Sequence, residues 1–60
     1  MPVVFLKSGG VALCGGYTIK DGVIKMVDVT FKDAGLPEGK EKQPEALVSL
    51  TNVLFVIPRQ

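Results

Sequence analysis

Between Lys7 and Thr30 five glycines punctuate a segment otherwise rich in β-branched and apolar residues, KSGGVALCGGYTIKDGVIKMVDVT. Glycine costs helices about 1 kcal/mol per position relative to alanine, while Val, Ile and Tyr favour a pleated, half-buried strand. The pairs Gly9-Gly10 and Gly15-Gly16, with Gly22, fall where a strand must turn or bend sharply. The pattern predicts a small, tightly curled sheet.

Val3 to Leu6 forms a first strand that ends near Lys7, before the Ser8-Gly9-Gly10 turn. Val11 to Ile19 alternates Val11, Leu13, Gly15, Tyr17 and Ile19 against Ala12, Cys14, Gly16 and Thr18, so the bulkier set is expected to face inward. Its central glycines are read as a bend of the kind that closes a short barrel. Asp21-Gly22 is a strong two-residue hairpin signal, and Val23 to Phe31 follows as the third strand. Apolar residues of both parities along that strand suggest that it changes sides through a bend. Lys32 to Glu45 collects two prolines, two glycines and a balanced set of charges, and is read as an exposed variable loop, with a partner-binding loop as the alternative. Ala46 to Leu50 and Val53 to Ile57 complete five strands, joined at Thr51-Asn52 and stopped by Pro58.

Sixty residues make one domain, 1–60, that on its own buries only about 60% of the surface its unfolded chain exposes. One cysteine and no histidine leave neither an internal disulfide nor a metal cage as a staple, and no cofactor is expected. Yet 47% of the residues are hydrophobic, and the final run VLFVI does not alternate. An unbroken apolar strand is ordinarily covered on both faces, which a core this small cannot do alone, so a second chain is expected against it. No apolar run approaches the roughly 20 residues of a spanning helix, and no signal peptide is recognised, so a soluble cytoplasmic protein is expected. A net charge of +1 gives no overall attraction to nucleic acid.

These features together resemble the Sm-like family, which includes the Hfq proteins. Gly10, Gly15, Asp21, Ile24 and Lys25 fall at the spacing of that family's first motif, and LVSLTNVLFVIP is similar to its second. The resemblance covers nearly the whole chain. It implies an all-β fold, a small five-stranded, strongly bent antiparallel SH3-like barrel, here without the family's N-terminal helix. It also implies a homo-oligomeric ring of five to eight subunits in which the last two strands of neighbouring subunits pair. Leu47, Val48, Leu50, Val53, Leu54, Phe55 and Val56 would form that interface. Single-stranded RNA would bind near the pore through Lys20, Asp21, Val23, Lys25, Ser49 and Thr51.

The chain departs from the family where bases are read. Val23 stands at the stacking position and Lys25 at the asparagine, so phosphate contacts are expected to outweigh base contacts. Lys25, repeated by ring symmetry, would set a cationic collar around one opening; alternatively it is a surface lysine paired with Asp21 or Asp28. Tyr17 is expected in the core or an interface, and Cys14 as a buried, inert thiol. Gly10 to Gly15 has the GxxxxG spacing of a phosphate loop, but Gly16-Tyr17 follows instead of Lys and Ser or Thr. No nucleophile, base and orienting group assemble, so the chain is not read as an enzyme. Two further readings stay open: a structural or protein-interaction ring of the same fold that does not bind nucleic acid, and a monomeric SH3-like adaptor.

Overall fold

Turn chemistry and β-branched runs build the molecule as the glycines suggest. The computed structural model describes residues 1–58 and is almost entirely β, with strands β1 (Val3–Leu6), β2 (Val11–Leu13), β3 (Gly16–Lys20), β4 (Val23–Lys32), β5 (Lys42–Ser49) and β6 (Val53–Ile57). A 3-10 turn, Leu50–Asn52, joins β5 to β6. All pairings are antiparallel: β6 lies beside β1, β1 beside β2, and β2 and β3 both beside β4, whose other edge carries β5. β2 and β3 meet β4 in one continuous register, Leu13 opposite Thr30 and Gly16 opposite Val27. They are therefore two halves of one bent strand, and the sheet is a strongly curled five-stranded half-barrel, open between β5 and β6.

The bend has a physical cause on both strands. Gly15 donates its amide to the Val27 carbonyl at 2.9 Å, and a Cβ on Gly15 would sit 3.3 Å from the Asp28 Cβ. Opposite it, Asp28 adopts φ 52°, a left-handed conformation in which Asp is among the better tolerated residues. The single left-handed residue swaps the faces of β4. Ile24 and Met26 point inward before Asp28, and Val29 does so after it.

The core is Val4, Leu6, Ala12, Cys14, Ile24, Met26 and Val29, with Tyr17, Phe31, Val48, Leu50, Val53 and Val56 packed around it. This corrects the expected facing of the second strand over β2 but not over β3, where Tyr17, opposite buried Met26, packs against the core as expected. Ala12 and Cys14 are fully buried, whereas Val11 and Leu13 are half-buried and Ile19 is exposed. Gly15 divides the two halves: inward parity passes from Ala12 and Cys14 before the bend to Tyr17 after it.

The charged segment is also shorter than expected as a loop. β5 begins at Lys42, so residues 42–45 pair with β4, Gln43 opposite Val29 and Glu45 opposite Val27. Backbone pairing propagated from the following apolar residues outweighs the turn-like composition around Pro44. The remaining connection is closed by the Phe31 amide donating to the Glu41 carbonyl at 2.7 Å.

Candidate nucleic-acid interface

Two turns come together at one end of the β3-β4-β5 sheet. Asp21 (φ 53°) and Gly22 (φ 75°) both take positive φ, as the two central residues of a type I′ hairpin require. The Leu50 amide donates to the Gly22 carbonyl at 2.9 Å, fixing the 3-10 turn against the hairpin. Ser49 caps that turn: its Oγ accepts the Thr51 amide at 3.3 Å and lies 2.8 Å from Thr51 Oγ1. One hydroxyl of the pair donates to the other, which leaves the second proton free for an outside acceptor.

Cross-strand register decides which side chains share the outer face. Lys20, Val23 and Ser49 form one row, Thr18, Lys25 and Leu47 the next, and Gly16, Val27 and Glu45 a third. Thr18, Lys20, Asp21, Val23, Lys25 and Leu47 enclose a shallow depression of about 350 Å³. A second, of about 460 Å³, lies on the other side of Lys25 and Leu47 and is bounded by Glu45 and Ala46. The structure thus gathers Lys20, Asp21, Val23 and Lys25 into one surface, with Ser49 beside Val23 and Thr51 held by Ser49. The floor is aliphatic. Val23 and Leu47 offer contact area but no aromatic face on which a base could stack.

The ion-pair partner of Lys25 is neither Asp21 nor Asp28. The Lys25 Nζ lies 3.2 Å from Glu45 Oε1, with both side chains more than half exposed. The sequence alone does not single out Glu45 as a partner for Lys25, because it ends a stretch that reads as loop. Counting back along β5 from the Ser49 cap places it on the outer face, and that is the signal that would have found it.

The seven residues assigned to an oligomer interface divide into two groups. Val48, Leu50, Val53 and Val56 pack against the chain's own core. Leu47, Leu54 and Phe55 are 70%, 58% and 55% exposed. Leu54 is the extra residue of a bulge, since Phe5 pairs with Phe55 but Leu6 pairs with Val53. Phe55 stacks on Phe5 with ring centroids 4.6 Å apart and still shows most of its surface.

Cys14 is buried, and that burial pushes its thiol above the usual range, against the weaker opposing effects of a backbone hydrogen bond at Gly16 and the N-terminal charge. A raised thiol pKa lowers the thiolate fraction at neutral pH, which is the form that reacts. Among the described residues no group of three or more His, Cys, Asp or Glu is placed to hold a metal ion, and no helix is long and apolar enough to cross a membrane. Comparison with family models, curated proteins and solved structures finds no match for this chain.

Proposed function

We propose that this chain is an Sm-like protein that assembles into a homo-oligomeric ring and binds single-stranded RNA, mainly through phosphate contacts. One observation carries the binding side: Lys20 and Lys25 flank a single outer-face depression beside the Ser49-Thr51 hydroxyl pair. Two ammonium groups and a free hydroxyl proton suit phosphate oxygens. The aliphatic floor lacks the base stacking worth about 1–3 kcal/mol per base, so little sequence preference is expected. The ring is supported by the free edges of β5 and β6, which carry exposed Leu47, Leu54 and Phe55. Pairing those edges between copies would cover apolar surface and remove two templates for aggregation.

Light scattering tests the assembly, with a mass several times 6.4 kDa expected. A monomeric mass would remove the ring and favour an SH3-like adaptor. Binding of oligo-U and oligo-A at low salt, with Lys25→Ala as control, tests the RNA side. Similar affinity for both, lowered by the substitution, is the expected result, and no affinity for either would sink it.

The alternative is a ring that binds protein and not nucleic acid, and it draws on the Lys25–Glu45 pair and on Leu47 exposed beside it. RNA co-purifying with the ring argues against this alternative. Protein partners retained after nuclease treatment argue for it.

A further inference from the structure

We propose that Glu45 is an intramolecular competitor for the anion site, holding Lys25 away from phosphate until a nucleic acid displaces it. The inference rests on the RNA reading above and adds to it a residue that sets how tightly the site binds. Lys25 and Leu47 border both outer-face depressions, whereas Lys20 and Asp21 border only the first and Glu45 only the second. Lys25 therefore stands on the ridge between them, with its ammonium at Glu45, 3.2 Å from Oε1. Swung the other way on its flexible stem, the same ammonium would join Lys20 over the first depression.

Glu45 is not a loose loop residue free to drift off. Its backbone is paired with Val27 in the β4–β5 ladder, one step along the outer face from the Lys25–Leu47 pair. The carboxylate is thus presented to Lys25 by the sheet itself. The pair is also weak enough to yield, because both partners are solvated, 55% and 60% exposed. Exposed ion pairs shift equilibria by roughly two- to fivefold, less than a phosphate backbone gains from an added cation at low salt. On this face two lysines, Lys20 and Lys25, meet two carboxylates, Asp21 and Glu45, so its formal charges cancel. Neutralising Glu45 alone gives each subunit a net positive face.

The test is fluorescence anisotropy of labelled oligo-U and oligo-A across a salt series, using the full chain, Glu45→Gln, Lys25→Gln and the double variant. Glu38→Gln, in the exposed loop, makes the same change in net charge away from the site. Glu45→Gln is expected to tighten binding roughly two- to fivefold at low salt. It should also steepen the slope of log K against log salt by about 0.7 for each phosphate newly engaged. Both gains should vanish in the double variant and be absent in Glu38→Gln, with circular dichroism and light-scattering mass unchanged throughout. If Lys25→Gln weakens binding while Glu45→Gln changes nothing, the competitor role is overturned and the RNA reading survives. An equal gain in the Lys25→Gln background, or in Glu38→Gln, overturns it too, because the effect would then be general charge. No binding by the wild type or by Glu45→Gln removes both ideas.

Discussion

β1 and β6 are nearly the same kind of sequence, VVFL and VLFVI, and they are hydrogen-bonded to each other, yet they end in different surroundings. In β1, Val3, Val4 and Leu6 are 4%, 0% and 6% exposed; in β6, Leu54 and Phe55 are more than half exposed. The difference lies in sheet position. β1 is bonded on both edges, by β2 and β6, while β6 has β1 on one side and a free edge on the other. An unbroken apolar run states how much burial a strand needs, and the order of strands decides whether its own chain can supply it.

The largest effect should come from the covered side. Ile24 is fully buried in the same core cluster as Val4, and Ile24→Ala removes packing worth about 2–5 kcal/mol. A chain this small sits near the bottom of the usual 5–15 kcal/mol stability range, so the variant is expected to be largely unfolded in urea titrations followed by circular dichroism. Leu54→Ala, made at a half-exposed bulge, should cost under about 1 kcal/mol within a single chain. Comparable losses from the two would mean that the distinction between β1 and β6 does not describe the protein in solution.

Charge at the uncovered side should act on assembly instead. Leu54→Lys combined with Phe55→Lys places two ammonium groups on the exposed face of β6 while leaving the Val53 and Val56 contacts with the core in place. If β6 is a seam between copies, the light-scattering mass should fall to 6.4 kDa with the circular dichroism spectrum retained. An unchanged multimeric mass would show that the seam lies elsewhere.

A smaller effect is expected where β1 and β6 are tied together by polar contacts. Asn52 Oδ1 accepts the Ser8 amide at 3.0 Å, Asn52 Nδ2 donates to Ser8 Oγ at 3.3 Å, and the Lys7 amide donates to the Asn52 carbonyl at 2.8 Å. Asn52→Ala removes the two side-chain bonds and keeps the third. Since these bonds are exposed to water, a loss of about 1 kcal/mol is expected, read as a lower urea midpoint at unchanged slope.

Local chemistry was legible in the sequence, and long-range register was not. Asp21-Gly22 announced its hairpin because only a few residue pairs take positive φ twice in succession, and mixed parities along Val23 to Phe31 announced the switch that Asp28 makes. The glycines located the bend in the second strand but not the change of inward parity across it, from Ala12 and Cys14 before Gly15 to Tyr17 after it, because simple alternation assumes an unbroken strand. Of the candidate site, Lys20 and Lys25 could be grouped from their closeness to one turn, and Asp21 and Val23 only through the resemblance to a family motif. Glu45 could not be, since what puts it beside Lys25 is the pairing of β4 with β5 across a charged segment that reads as loop.

The smallest expected effect concerns a residue of the covered side that titrates. Cys14 belongs to the same buried cluster as Val4, and its thiol is raised by that burial above the ordinary value of 9.0. An acid raised in the folded state favours folding while both states are protonated. As pH climbs past the ordinary value the unfolded chain loses its proton first, so stability falls until the folded pKa is passed. Urea midpoints should therefore be flat with respect to Cys14 below about pH 8 and decline above it. In Cys14→Ala the overall stability should be slightly lower, from the missing sulfur, but the Cys14-dependent part of the alkaline decline should be gone. If the wild type and Cys14→Ala keep parallel profiles up to pH 11, the thiol is solvated in the native state. The side of the sheet that holds Val4 and Cys14 would then be no better sealed than the side that shows Leu54 and Phe55.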